Sequence, residues 1–123
     1  MGNKILLVED DPDLSGLLLE TLKSSGYQVE LCESGREALA ALRSYDPDLL
    51  LMDVMLPGLD GHSLAADISN DGKFNKLPII VMSALTNSRC MFEGLPQVAA
   101  FFPKPFNTED LIEAIKTALA EKP

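Results

Sequence analysis

The sequence predicts an α/β fold in which helices cover both faces of a five-stranded parallel sheet. Residues 49–52 are all apolar and end at Asp53, and a short, wholly apolar run indicates a strand buried on both faces. Similar runs occupy residues 5–8, 79–82 and 99–103. Stretches with helical spacing separate the runs, which indicates a three-layer (βα)5 doubly wound sheet with right-handed crossovers.

The first helix follows a strand expected at residues 4–8. Pro12 or Asp13 begins it, because proline and acidic residues suit the first turn of a helix, and Gly26 ends it. Four leucines are spaced to share its inward face: Leu14, Leu17, Leu18 and Leu22.

The second helix follows a strand expected at residues 28–32. Ser34 and Glu37 have the spacing of a capping box at its start. Asp46-Pro47 then turns the chain into the third strand, which ends at Asp53.

The second half of the chain is expected to contain a helix at residues 61–68 and strands at residues 78–82 and 98–102. Asn107 caps the last helix, whose buried stripe consists of Leu111, Ile112, Ile115 and Leu119. Thr86–Gln97 has no clean apolar stripe and contains Gly94 and Pro96. We therefore expect one or two weakly stabilised helical turns there.

Length and composition predict one domain over residues 1–123 and exclude several classes of function. The net charge of −9 disfavours nucleic-acid binding by this domain. No apolar run approaches the ~20 residues of a membrane span, so no membrane association is expected. Cys32 and Cys90 form no spaced motif, which favours reduced thiols in a cytoplasmic protein.

Polar residues stand at the ends of the apolar runs. Because the ends of parallel strands meet at one edge of a sheet, we expect these residues to converge: Glu9, Asp10, Asp53, Ser83 and Lys104. Three neighbouring carboxylates repel one another unless a cation lies between them. Oxygen ligands favour Mg²⁺, for which Mn²⁺ can substitute.

A divalent cation, Lys104 and Ser83 around one carboxylate would form a cradle for a phosphoryl group, since phosphoryl transfer needs mainly positioning and charge neutralisation. Asp53 is then the candidate nucleophile, which would become an acyl phosphate. Some of these residues also have a simpler interpretation: Asp10, like Asp11 and Asp13, as a helix-start acid, Ser83 as a strand-end hydroxyl and Lys104 as a solvated charge.

Four stretches together resemble the receiver domain of two-component response regulators: Val8-Glu9-Asp10-Asp11, Met52-Asp53-Val54-Met55-Leu56-Pro57-Gly58, Ile80-Val81-Met82-Ser83-Ala84 and Lys104-Pro105-Phe106. The resemblance covers nearly the whole chain. It implies a flavodoxin-like sheet order 2-1-3-4-5 and a signalling switch that is not a dedicated enzyme. It also implies a sensor histidine kinase or a histidine phosphotransfer protein as partner.

The resemblance assigns roles to individual residues. Asp53 accepts the phosphoryl group, and Asp10 and Asp53 bind Mg²⁺ directly. Glu9 binds Mg²⁺ through water, and the backbone carbonyl of Met55 completes the protein ligands.

The resemblance also implies that Ser83 and Lys104 hold the phosphoryl oxygens. Ser83 and Phe101 act as the switch pair, with Phe101 at a position where tyrosine is frequent. A cis peptide is implied at Lys104-Pro105. The interval from Ser83 to Lys104 is about one residue shorter than usual, which places the output surface in doubt rather than the chemistry.

Three other functions fit this sequence less well. An interaction module that is never phosphorylated would keep the fold but would not need the five polar residues. A flavin-binding domain would need a phosphate loop after the first strand, where this chain has acids. A metal-dependent phosphatase would need a second acid or base near Asp53, and Val54 and Met55 offer none.

Overall fold

Five parallel strands form the central sheet of the computed structural model, which describes residues 3–53, 55–56, 59–74, 76–83 and 97–121. In chain order these strands are β1 (Lys4–Val8), β2 (Gln28–Cys32), β3 (Leu49–Asp53), β6 (Ile79–Ser83) and β7 (Val98–Pro103). Between β3 and β6 lies a small ribbon of two further strands, β4 (Met55–Leu56) and β5 (Leu59–Asp60). The order across the sheet is β2-β1-β3-β6-β7. Every neighbouring pair is parallel, which confirms the predicted order 2-1-3-4-5.

The described part of the chain contains four helices: α1 (Pro12–Ser24), α2 (Ala38–Tyr45) and α3 (Gly61–Ser69), which lie between strands, and α4 (Thr108–Glu121), which follows the last strand. Their starts follow local chemistry. The Asp11 carboxylate accepts a hydrogen bond from the Asp13 N–H at 3.0 Å at the start of α1. The Asn107 side chain accepts one from the Glu109 N–H at 2.7 Å at the start of α4, which confirms the predicted cap.

The start of α2 differs from the prediction. A 3-10 turn over Gly35–Glu37 precedes the helix, in which the Glu37 N–H donates to the Ser34 carbonyl at 3.2 Å. The residue at the cap position is Glu37, whose side chain makes no capping hydrogen bond. The Ser34–Glu37 spacing therefore marked the turn that leads into the helix rather than the helix itself.

Two apolar layers enclose the sheet. Side chains of α2 and α3, such as Leu42 and Ile68, pack on one face of β1, β3 and β6. Side chains of α1 and α4, such as Leu18 and Ile115, pack on the other face. All residues of β3 and β6 are buried, as the continuous apolar runs predicted.

One leucine of α1 was assigned to the wrong face. Leu18 and Leu22 are fully buried, whereas Leu17 is 50% exposed. The inward stripe of α1 follows the spacing Leu14, Leu18 and Leu22, which leaves Leu17 on the side facing solvent. The predicted four-leucine face was therefore wrong at Leu17.

The chain after β3 forms a short antiparallel ribbon, with β4 (Met55–Leu56) paired to β5 (Leu59–Asp60). Val54, Pro57 and Gly58 lie outside the described residues. The short helix expected within Thr86–Gln97 also lies outside them, apart from Gln97. In the described part of the chain, no helix combines the length and apolar character that a membrane span requires.

Candidate phosphorylation site

The polar residues at the strand ends lie on one edge of the sheet. Asp53 and Ser83 are the last residues of β3 and β6, while Glu9 and Lys104 directly follow β1 and β7. The Lys104 backbone N–H donates to the Ser83 carbonyl at 2.7 Å. Because the strands are parallel and in register, their carboxyl ends bring these residues together.

Lys104 joins the ends of three strands through its side chain. Its Nζ atom donates to Asp53 Oδ2 at 2.5 Å and to Glu9 Oε1 at 2.8 Å. The lysine side chain is 19% exposed, whereas the side chains of Glu9 and Asp53 are 0% and 8% exposed. Charge-assisted hydrogen bonds between groups with so little exposure to solvent are strong and directional.

Glu9 uses both of its carboxylate oxygens. Oε1 accepts from Lys104, and Oε2 accepts from the backbone N–H groups of Asp10 and Asp11, both at 3.1 Å. The carboxylate therefore fixes the start of the loop that carries Asp10. Burying a charged group of this kind is tolerated because both of its oxygens accept hydrogen bonds and Lys104 supplies the opposite charge.

Glu9, Asp10 and Asp53 form a cluster of oxygen ligands. One carboxylate oxygen from each lies within 4.8 Å of the others. When all are ionised, three negative charges face the single positive charge of Lys104, which leaves an excess of negative charge that a divalent cation would neutralise. Its donors are all oxygen, which suits Mg²⁺ better than zinc.

Burial and hydrogen bonding shift the acid–base properties of the site in opposite ways. Burial raises the pKa of Glu9, although its hydrogen bonds with Lys104 and Asp11 oppose the shift. Burial alone would lower the pKa of Lys104. The hydrogen bonds to Asp53 and Glu9 outweigh burial, so the pKa of Lys104 is raised and the ammonium form persists at neutral pH.

The two predicted switch residues lie on neighbouring strands. Ser83 is fully buried. Phe101 is partly buried and packs against the apolar layer that includes Val81, its register partner across the β6–β7 pair. Since side chains alternate along a strand, Ser83 stands on the same face as Val81 and Phe101.

Met55 begins β4, two residues after Asp53, and pairs with Asp60. This position keeps its backbone near the strand end that carries Asp53. The Lys104-Pro105 peptide bond is cis, in agreement with the prediction.

An apolar groove of about 480 Å³ opens beside Lys104. Leu14 and Leu17 of α1 line one side of it, and Pro105 and Phe106 line the other. Sequence reasoning missed this groove because it assigned Leu17 to the core. It also missed the hydrogen bond between Lys104 and Glu9. The signal that could have indicated it is that glutamate reaches further than aspartate.

Comparison with known proteins identifies a family. The response regulator receiver domain family matches residues 5–116. The response regulator MprA of Mycolicibacterium vanbaalenii is 37% identical over 120 residues, which are 97% of this chain and 51% of the relative. The transcriptional regulatory protein BaeR of Escherichia coli is 34% identical over 118 residues, which are 94% of this chain and 48% of the relative. The chain thus spans about half the length of the curated relatives it matches.

Solved structures give the same result. The receiver domain of the sensor histidine kinase PA1611 from Pseudomonas aeruginosa, with a magnesium ion coordinated in its active site cleft, superposes with a TM-score of 0.86 at 31% identity. That match covers 98% of this chain and 100% of the other. The response regulator TrrA of Thermotoga maritima, in complex with Mg²⁺ and BeF, has a TM-score of 0.83 at 31% identity. It covers 94% of this chain and 98% of the other.

Proposed function

The chain belongs to the receiver domain family of two-component response regulators, and on that premise we propose that Asp53 is its phosphoacceptor. The observation that carries the assignment is the contact between Lys104 Nζ and Asp53 Oδ2 at 2.5 Å, beside the Glu9, Asp10 and Asp53 oxygen cluster. A cation on one side and an ammonium on the other would neutralise charge that gathers on a phosphoryl group. The proposal treats residues 1–123 as one receiver domain.

In the proposed reaction, an Asp53 carboxylate oxygen attacks the phosphorus of a phosphohistidine. The new bond is P–O, and the P–N bond breaks with its electron pair returning to the imidazole nitrogen. Lys104 is placed to exchange its hydrogen bond with Asp53 for one with a phosphoryl oxygen. The Ser83 hydroxyl supplies a second donor at the same edge.

Mg²⁺ is the proposed cofactor and Mn²⁺ a substitute, because the donors are all oxygen. Asp10 and Asp53 would hold the ion directly, Glu9 through water, and Met55 through its backbone carbonyl. Bound there, the ion supplies positive charge to the phosphoryl oxygens. The fit rests on three carboxylates with oxygens within 4.8 Å of one another.

The proposed donor is a sensor histidine kinase or a histidine phosphotransfer protein. The groove beside Lys104 supports this, because its apolar lining includes Leu17, a large hydrophobic side chain that is 50% exposed. Exposed apolar surface next to polar reacting groups is typical of docking sites. The net charge of −9 disfavours a role of this domain in nucleic-acid binding.

We propose that phosphorylation is read out through Ser83 and Phe101, which share one face of the β6–β7 pair. The domain is a signalling domain, and the proposal makes it an acceptor that assists its own phosphorylation and dephosphorylation rather than a dedicated enzyme. Its proposed location is the cytoplasm, where a thiol such as Cys32 stays reduced.

Incubation with acetyl phosphate and Mg²⁺, followed by intact mass measurement, tests the proposal. A gain of about 80 Da per chain, the mass of one phosphoryl group, is expected for the wild-type protein and not for Asp53→Asn. Asp48→Asn serves as the matched control, because Asp48 lies at the opposite end of β3 and binds the Lys4 backbone N–H there. Labelling that persists in Asp53→Asn would refute Asp53 as the acceptor.

A further inference from the structure

We propose that Glu9 is a positioning residue that holds Lys104 over Asp53, in addition to its contribution to the cation site. The inference rests on the proposed function, since Lys104 matters there as a donor to the phosphoryl group. It concerns how the lysine is kept in place before that group arrives.

The Lys104 ammonium group donates its hydrogens to more than one partner. One points to Glu9 Oε1 at 2.8 Å and one to Asp53 Oδ2 at 2.5 Å. An ammonium group has three donors and no acceptor, so the contacts among the described residues use two of them and leave the third for a phosphoryl oxygen. The contact with Glu9 can therefore persist while the contact with Asp53 is exchanged.

The Glu9 side chain is itself held rigidly. Its side chain is 0% exposed, and Oε2 is fixed by the N–H groups of Asp10 and Asp11 at 3.1 Å each. A carboxylate held by three donors can serve as a fixed point. The Lys104 side chain has a flexible four-carbon stem and would sample many rotamers without such a contact.

The length of the Glu9 side chain decides whether its carboxylate reaches Lys104. Replacing glutamate by aspartate withdraws the carboxylate by one carbon–carbon bond, about 1.5 Å. A contact of 2.8 Å would then lengthen beyond hydrogen-bonding distance. The negative charge beside the cation site would remain. Glu9→Asp therefore separates a positioning role from a purely electrostatic one.

The direct test uses nuclear magnetic resonance on the metal-free, unphosphorylated protein. We expect a scalar coupling across the hydrogen bond between Lys104 Nζ and the Glu9 carboxyl carbon in the wild-type protein. We also expect the Lys104 ammonium protons to exchange slowly enough with water to be observed, and to be lost from view in Glu9→Asp. Glu20→Asp, on the exposed side of α1, should leave the Lys104 signal unchanged.

The kinetic test separates the two roles of Glu9. With acetyl phosphate and saturating Mg²⁺, we expect Glu9→Asp to lower the maximal labelling rate by about 10- to 100-fold, since a misplacement of about 1 Å at a reacting group can cost about 100-fold. We expect the Mg²⁺ dissociation constant to change less than about threefold, because the charge is retained.

Absence of the coupling in the wild-type protein would overturn the inference even if Glu9→Asp fails to fold. A Glu9→Asp protein that keeps the slow Lys104 exchange and the full maximal rate would also overturn it. The inference would likewise be overturned if Glu9→Asp lowered the affinity for Mg²⁺ and left the maximal labelling rate unchanged. Failure of the wild-type protein to accept a phosphoryl group would refute the proposed function, while the coupling would still report on the Glu9–Lys104 contact.

Discussion

Replacing Lys104 with methionine should destabilise the metal-free protein, because it leaves two buried carboxylates without their shared cation. Hydrogen bonds to charged groups contribute roughly 1.5–3 kcal/mol each, and Lys104 makes two. Glu9 can recover part of the loss by taking up a proton, since burial already raises its pKa. We therefore expect the free energy of unfolding to fall by about 2–4 kcal/mol at neutral pH.

Urea unfolding with a metal chelator measures this change. Lys73→Met is the matched control, because Lys73 is 58% exposed and lies 3.9 Å from Asp46, and an exposed pair contributes only about 0–1 kcal/mol. Millimolar Mg²⁺ should narrow the difference in free energy of unfolding between Lys104→Met and the wild-type protein. The cation would neutralise the carboxylates that Lys104 no longer pairs, and so would stabilise the folded variant more than the folded wild-type protein. If Lys104→Met and Lys73→Met had equal free energies of unfolding in the presence of the chelator, the reasoning would be refuted.

Three further predictions concern the core, the groove and pH. Ile80→Ala should lower the free energy of unfolding by about 2–5 kcal/mol in urea titrations, because Ile80 is fully buried and the change leaves a cavity. Leu17→Ser should change stability by less than about 0.5 kcal/mol and leave acetyl phosphate labelling intact, but slow transfer from the partner kinase; equal transfer rates would contradict the docking role. The raised pKa of Lys104 means that its stabilisation of the folded state is present below its ordinary pKa of 10.5 and is lost as pH rises through the higher pKa of the folded state. In urea titrations at alkaline pH, the free energy of unfolding should therefore fall more steeply with pH for the wild-type protein than for Lys104→Met.

The central strands β3 and β6 were predictable because burial on both faces leaves a short, continuous apolar run in the sequence. β3 and β6 are wholly apolar up to their polar last residues, and those last residues pointed to the edge where a site would form. The parallel order then brought Asp53 and Lys104 together. Their convergence was predictable from topology alone, without knowledge of any side-chain rotamer.

Other features depend on tertiary contacts that a linear pattern does not encode. Leu17 and Leu18 are adjacent and equally apolar, and only the way α1 packs on the sheet decides which one is buried. In β7, a register irregularity opposite Ile79 and Ile80 pairs Ile80 with Ala100. This shift determines the face on which Phe101 stands.

The buried amide of Gln97 is another feature without a sequence signal. Its Nε2 atom donates to the carbonyls of Phe74 and Leu77 at 2.8 and 2.6 Å. The residue thereby ties the start of β7 to the connection between α3 and β6. A lone glutamine beside a proline and an apolar strand reads as a surface residue, and only the folded structure reveals its partners.

The most direct test of the central claim is to locate the phosphoryl group on the chain. After incubation with acetyl phosphate and Mg²⁺, borohydride reduction converts an acyl phosphate on aspartate into homoserine, which peptide mass spectrometry can place. The account predicts homoserine at position 53. Homoserine at Asp10 or at another aspartate, with residue 53 unmodified, would contradict it.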